Sequence, residues 1–399
     1  MAQPALKPDF TAEIIVIGAG LAGLAASLAL SQQGFSVALV GPNERVAGGR
    51  TVALLAPSMR FLAALGLAEA ARSLGAPLRR LRIIDDKGGL IRAPSLDFRA
   101  TEMGFEAFGW NVENAALADL IEAAARTEAA IVRIAGTAQA IHLGEDGASV
   151  TLGDGRTGRA SLLVGADGRR SPTRRAAGID ESVHAYGQSA LTGIFSHARP
   201  HGGVSIELHK RGGPFTLVPL PAGPNAAHRS SLVWAMAERD VEAVAGLDDA
   251  RWAARVEAEA HCVFGAMAFD RGRGRFPLQR SHALRFHARR LALIGEAAHA
   301  LPPIGAQGFN LSLRDIAALA ESTGEARRSG DDFSSGALLA AYDRGRRADV
   351  GVRAFAVDAL NRSLLSDFLP FDAARAGAFA ALASVAPLRR AAMRGGLGA

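Results

Sequence analysis

The chain has 399 residues, 49% of them apolar and 21% charged, with 45 Lys and Arg against 39 Asp and Glu for a formal net charge of +6. Such a composition is that of a globular enzyme with room for two domains, or for one large domain carrying an insertion. No apolar run reaches the roughly 18 residues that span a bilayer, and the start MAQPALKPDF lacks the charged and apolar regions of a secretory signal, so a cytoplasmic protein is expected. The single cysteine, Cys262, excludes an internal disulfide framework and fits a reducing compartment; its expected role is that of a small buried apolar residue. Arg271, Arg273, Arg275, Arg280, Arg285, Arg289 and Arg290 are dense enough to form a basic patch. A solvated face is the first reading of that patch, and lipid headgroups or the phosphates of a nicotinamide cofactor are the second. No recognition motif accompanies the charge, so nucleic acid is not expected as a partner.

Residues 13–17, EIIVI, predict a short strand; Gly18, Gly20 and Gly23 follow at once, and residues 21–33 carry helix formers up to a stop at Gly34. Residues 36–40 predict a second strand. Strand, G-x-G-x-x-G, helix and strand in about 30 residues is the context of a dinucleotide-binding unit. In that reading Gly18 permits the tight turn, Gly20 lets a pyrophosphate approach the backbone and Gly23 lets the helix lie close to the sheet. The helix N-terminus then presents free N–H groups and a partial positive charge to the phosphates. The acid expected at the end of the second strand, to hold a ribose hydroxyl, is Gly41 here; Asn43 and Glu44 are the nearest candidates for that contact.

Further along, residues 50–67 read as a turn into an amphipathic helix, and residues 79–92 as a hairpin around Lys87-Gly88-Gly89. Residues 111–125 form a helix with Asn111 or Asn114 as its cap, and residues 130–159 form strands joined at Asp146-Gly147 and Asp154-Gly155. In ASLLVGADGRRSPTRRAAGI, residues 160–179, a strand stops at Gly165-Ala166-Asp167-Gly168 and a short helix starts with Ser171 as N-cap and Pro172 at its first position. Asp167 is then either a ligand contact or part of a plain Asp-Gly turn. Residues 183–284 alternate as strands with little helix, an antiparallel sheet inserted into the α/β domain and placed to form one wall of a pocket. Phe215, Leu217, Trp234 and Phe276 are core or wall of that sheet, with Leu217 and Trp234 the candidate substrate-pocket residues. In residues 291–321 a buried strand, LALIG, ends at Glu296; Pro302 and Pro303 delay the next helix, which begins near Phe309. Ligands of open α/β sheets lie outside the carboxyl ends of the strands, so Gly18, Asp167 and Glu296 are expected to converge on one crevice.

VIGAGLAGL, GADG and LIGEAAHALPPIGAQGFNLSLRD resemble, in that order, the three fingerprints of single-component FAD-dependent aromatic hydroxylases, the class A flavoprotein monooxygenases. With FGWNVENAALADLI, PFTLVPLP and RFPLQRS, the chain is similar to the ubiquinone-biosynthesis branch over about residues 12–362. The resemblance departs at Gly41 and at Glu296, which stands where the family has aspartate. It implies a Rossmann-like FAD-binding domain of glutathione-reductase type over residues 1–182 and 286–330, an inserted antiparallel-sheet substrate domain over 183–285, and a C-terminal helical region over 331–399.

By the same resemblance FAD is the cofactor and NAD(P)H the co-substrate. Gly18, Gly20 and Gly23 would hold the pyrophosphate, Glu296 the ribityl or pyrophosphate region, and Asp167 with Gly168 both FAD and the nicotinamide cofactor. Arg50 would lie near the flavin, N–H groups at Gly308, Phe309 and Asn310 at its N1 and C2 carbonyl, and Pro302 and Pro303 on its substrate side. The implied reaction adds O₂ to flavin C4a and passes oxygen to a phenolic, polyprenylated ring. A small soluble aromatic acid as substrate, or a flavin-binding scaffold without turnover, remain the alternatives; an NADP-binding dehydrogenase suits Gly41 but not the two later fingerprints. No catalytic triad or metal-ligand cluster is found, and His299 is read as structural. The apolar tail ending in Arg389, Arg390 and Arg394 is either a docking surface for a membrane or partner enzyme, or a packed helix.

Overall fold

The computed structural model describes residues 8–43, 49–89, 92–303, 307–365 and 369–397. Its frame is a sheet in which Leu291–Leu293, Leu162–Gly165, Ile14–Ile17, Val37–Gly41 and Ile131–Ala135 lie side by side and parallel, with His287–Ala288 antiparallel at one edge. Every residue of the first four strands is buried, the condition of parallel strands covered on both faces. The helix Leu21–Gln32 lies against both Asn114–Thr127 and Gln307–Ser329. Full burial of each Ile, Leu or Val in this layer stabilises the fold by about 1.5–3 kcal/mol, so the apolar runs seen in the sequence account for the frame.

The second sheet has eight strands. Glu181–His197, Val204–Lys210, Gly213–Leu220, Arg229–Ala237 and Met267–Ala283 pair antiparallel, as expected of the insertion. Two earlier strands join them: Arg80–Asp85 pairs parallel with Val204–Lys210, and Leu96–Arg99 pairs with Arg80–Asp85. The hairpin expected within residues 79–92 therefore closes later, with Ile83 opposite Leu96. Asp85 stabilises the longer excursion, its Oδ2 accepting from the Ala93 N–H at 2.9 Å.

Other local expectations change for identifiable reasons. Thr51–Leu55 is a strand before the helix Ala56–Ala64. Neither asparagine caps the helix Asn114–Thr127; Asn111 is buried and spends its amide on the Pro219 carbonyl (2.9 Å) and the Ser231 hydroxyl (3.2 Å). Cys262 is exposed, not buried, because the chain turns through positive φ at His261 and Cys262 and points the thiol outward. The arginines are largely compensated: Arg271 meets Glu113 at 2.8 Å, Arg273 meets Asp249 at 2.8 Å, Arg289 meets Glu145 at 3.1 Å, and Arg275 and Arg280 pair with Glu238, Glu242 and Asp358. Exposed pairs contribute about 0–1 kcal/mol each, so their main effect is to cancel the field of a basic patch. Three helices, Gly336–Leu365, Leu369–Ser384 and Ala386–Leu397, end the chain; Met393 and Leu397 of the last are buried with Ala100 and Phe108. Among the described residues no helix is long and apolar enough to cross a membrane.

The insertion also carries a buried neutral histidine. His197 stacks on Phe264 at 4.6 Å, with Nδ1 2.8 Å from the Arg199 carbonyl and Nε2 3.0 Å from the Ser230 hydroxyl. A carbonyl only accepts, so Nδ1 carries the hydrogen and Nε2 accepts. Burial, assisted by neighbouring His201 and His228, pushes its pKa from 6.5 down to about 4. Between those values the unfolded chain binds a proton that the native site refuses, so this contribution is complete above 6.5 and is lost as the pH falls towards 4. Over that window thermal melts should show wild type losing about 1–2 kcal/mol more than His197→Gln; equal losses would assign the acid sensitivity elsewhere.

Candidate cofactor and active site

The register of the parallel sheet places Gly165 beside both Ile17 and Leu293, so all three fingerprint turns leave adjacent strand ends on the same edge. Gly18, at φ +112°, closes the first turn so tightly against the second that a Cβ there would lie 2.3 Å from the Ala166 carbonyl oxygen. A Cβ on Gly23 would lie 1.7 Å from the Gly18 carbonyl oxygen; the close approach expected of this glycine is made to the turn itself. Gly20 differs from both. It precedes the helix in ordinary extended backbone, and a Cβ there would meet nothing within 4 Å. Gly168 and Gly308 also face open space. The first turn thus joins an open cradle to helix N–H groups that have no partner within the helix, a fit for a diphosphate.

Asp167 and Glu296 reach this edge in different ways. Asp167 Oδ2 accepts from the Thr173 N–H at 2.8 Å and Oδ1 from the Ser171 hydroxyl, while Ser171 Oγ accepts from the Arg174 N–H at 2.9 Å. The carboxylate therefore fastens the helix Pro172–Ala176 to the second turn, and each of its oxygens keeps further acceptor capacity. Glu296 is exposed, with Oε1 3.7 Å from Arg169 Nη2, linking the third turn to the second. Gly41 has a steric context: a Cβ there would lie 2.6 Å from Ala19 Cβ and 2.7 Å from the Ala19 nitrogen. No side chain enters that position unless the turn shifts. Arg133 instead covers the strand end, donating to the carbonyls of Leu39 (3.1 Å), Gly41 (3.2 Å) and Pro42 (2.7 Å). Asn43 is exposed beyond it; Glu44 lies outside the described residues.

After the third turn comes Gln307–Ser329, a helix of 23 residues whose second to fourth residues are Gly308, Phe309 and Asn310. Its N-terminus favours an anion by about 0.3–1 kcal/mol, and up to about 2 when partly buried. The Asn310 side chain is committed elsewhere: Oδ1 accepts from the Leu55 N–H (3.0 Å) and the Ser58 hydroxyl (2.6 Å), and Nδ2 donates to the Ala53 carbonyl (2.8 Å). These bonds fix the helix start against the strand Thr51–Leu55, leaving backbone N–H groups as its means of meeting a ligand. Pro302 is buried and Pro303 exposed just ahead of it, and Gly305 lies outside the described residues. Arg50 is exposed, its guanidinium 5.3 Å from the centre of the Phe276 ring. His299 is buried, its Nε2 donating at 2.6 Å to Asp315 Oδ2, which also accepts from the Gly295 N–H at 3.0 Å. Asp315 Oδ1 accepts from Arg346 Nε at 2.8 Å. This buried knot holds the third turn in place.

Residues 11–354 match the family model described as FAD binding domain. The chain is 34% identical over 397 residues to ubiquinone hydroxylase UbiL of Rhodospirillum rubrum, covering 98% of this chain and 90% of that one. It is 30% identical over 346 residues to the 3-demethoxyubiquinol 3-hydroxylase of Escherichia coli, covering 84% and 86%. The chain belongs to the FAD-dependent hydroxylase family. Its fold matches the crystal structure of p-nitrophenol 4-monooxygenase PnpA from Pseudomonas putida with a TM-score of 0.79 at 17% identity, covering 97% of this chain and 98% of that one.

In this flavoprotein the two candidate pocket residues are part of a packed core. Leu217 and Trp234 are buried in a core shared with Phe195, Val241 and Trp252, beneath the helices Glu238–Ala245 and Asp249–Glu259. Side chains alternate along a strand and directly paired residues share a face. The opposite face therefore carries Thr216 and Val218, paired with Val233 and Ser231, together with Phe276 paired with Ala190. Ser231 Oγ lies 2.9 Å from Thr51 Oγ1, so this face meets the strand Thr51–Leu55. Thr216, Val218, Val233 and Phe276 are the side chains of this other face; the alternation was visible in the sequence, but which phase would be packed under the helices was not. A cavity of about 550 Å³ lined by Phe10, Ser36, Val37 and Val132 lies at the opposite, amino ends of the parallel strands, away from all three fingerprint turns.

Proposed function

We propose that this flavoprotein hydroxylates a phenolic, polyprenylated ring in ubiquinone biosynthesis, with NAD(P)H as reductant and O₂ as oxygen donor. The observation that carries the reading is the convergence of the glycine cradle at Gly18–Gly20, the Asp167 turn and Glu296 on adjacent strand ends at one edge of one sheet. The names of both relatives supply the substrate class. When bound, FAD would supply acceptance of a hydride from NAD(P)H and activation of O₂, so that one oxygen atom is added to a ring carbon as a hydroxyl and the other leaves as water. The chain's own residues bind and enclose. N–H groups after Gly20 would hold the diphosphate, those at Gly308 and Phe309 would oppose negative charge on the flavin edge, and Glu296 with Asp167 would hold the polyol between. Pro302, Pro303 and the Thr216, Val218, Val233 face exclude water from the ring, and Arg50 with Phe276 borders the opening. The substrate's apolar tail calls for a membrane or partner-enzyme contact within the C-terminal region, residues 331–399.

Purified protein should show a flavin absorbance spectrum and release FAD on denaturation, and a prenylphenol should stimulate its NAD(P)H oxidation and gain one oxygen. Stimulation by a hydroxybenzoate and not by the prenylphenol would move the substrate to the soluble aromatic acids; flavin without stimulation by either would leave a scaffold.

A further inference from the structure

We propose that the outer face of the helix Gly336–Leu365 seats the protein on an anionic phospholipid bilayer, an inference that rests on the lipophilic substrate of the reading above. Arg344, Ala348, Val352, Phe355, Ala359 and Arg362 recur every three or four residues along that helix and are all exposed, so they share one face. Val352 and Phe355, 72% and 74% accessible, are the most exposed large apolar side chains among the described residues. The stripe has no carboxylate. The aspartates of the same stretch turn inward: Asp343 accepts from the Phe286 N–H at 2.7 Å, Asp349 from Arg346 at 2.8 Å and Arg353 at 3.0 Å, and Asp358 from Tyr186 and Arg280. With these acids paired, the exposed residues of the stripe are, among the described residues, cations and apolar groups, the complement of an anionic headgroup layer over acyl chains. Sparse apolar side chains on a convex helix suit a fluid bilayer better than a shaped protein pocket.

Beside the stripe opens a cavity of about 260 Å³ lined by Arg280, His282, Phe286, Leu301, Val350 and Phe355. Phe355 belongs to both stripe and cavity, and Leu301 immediately precedes Pro302 and Pro303. A lipid tail held at this face would therefore lie beside the segment placed next to the reacting ring. By contrast the last helix, Ala386–Leu397, turns Met393 and Leu397 inward and ties Arg389 to Glu102 at 2.8 Å.

The test is flotation of the full-length, FAD-loaded protein with vesicles of phosphatidylglycerol and phosphatidylcholine, against vesicles of phosphatidylcholine alone. Wild type should bind the anionic vesicles, and Ala348→Asp with Val352→Asp should bind them at least about tenfold more weakly, as should wild type in raised salt. Phe355→Asp alone should weaken binding in the same direction, whereas Val385→Asp with Leu388→Asp, exposed on the last helix and its approach, should float like wild type. The idea is overturned if wild type ignores anionic vesicles, as a surface for an acidic partner protein would. It is equally overturned if wild type floats as well on neutral vesicles, or if only the last-helix variant loses binding. Turnover of a short-chain, water-soluble phenol is measured on the same samples: it should match wild type in Ala348→Asp with Val352→Asp, and its absence from wild type would reject the hydroxylase reading without touching the flotation result.

Discussion

Gly20→Ala should give an apoprotein that melts within about 1 kcal/mol of wild type yet binds FAD about 100-fold more weakly, a loss near 3 kcal/mol. The methyl group meets no protein atom within 4 Å, and the backbone at Gly20 is of a kind any residue adopts; its only collision is with whatever fills the cradle. Gly23→Ala should behave in the opposite way. Its Cβ would lie 1.7 Å from the Gly18 carbonyl oxygen, so the helix must leave the turn, and both apoprotein stability and FAD binding should fall. Thermal melts of the stripped proteins, together with flavin fluorescence titrations, separate the two effects. If Gly20→Ala bound FAD as tightly as wild type, the diphosphate would not lie at this turn, and the placement of the cofactor would fall with it.

The contrast between these two glycines shows what was legible in the sequence. Each fingerprint is local, with strand, turn and helix contiguous in the chain, so the roles of Gly18, Ser171 and Pro172 could be read from spacing and turn chemistry alone. Choices between distant partners could not. Nothing in Arg80–Asp85 says that it will pair parallel with Val204–Lys210, and alternation puts Leu217 with Phe215 on one face without saying that this face is the one packed under the helices. Within the strand Met267–Ala283, Arg271, Arg273 and Arg275 alternate as a strand should, but their acidic partners come from residues 113, 249, 238 and 242, so in sequence they suggest a bare patch. The departure at Gly41 was visible as a missing acid. Its counterpart, the crowding against Ala19, exists only in the folded turn.

Asp315→Asn should destabilise the protein by about 3–5 kcal/mol, because it removes one partner of a fully buried ion pair and leaves the other charge uncompensated. Asp315 has no accessible surface and joins His299, Arg346 and the Gly295 N–H. An asparagine must turn its amide N–H groups towards at least one of these donors. Arg346 already has a buried Nη2 without a partner, so little remains to absorb the change. Burial alone would push the Asp315 carboxyl up, but His299 and Arg346 outweigh it and hold the group below the usual range. An acid depressed in the native state contributes stability that is complete above its unfolded pKa of about 4 and is lost as the pH falls through its lower folded value. The deficit of Asp315→Asn should therefore be constant in denaturant titrations from about pH 7 to 5 and shrink only in stronger acid. The knot also supports the chemistry: with the Gly295 N–H released, the turn bearing Glu296 loosens, and retention of FAD should fall even where the variant is still folded. An asparagine variant as stable as wild type at neutral pH would mean that the buried charges cost as much to desolvate as they return in attraction, leaving the third turn to be held by packing alone.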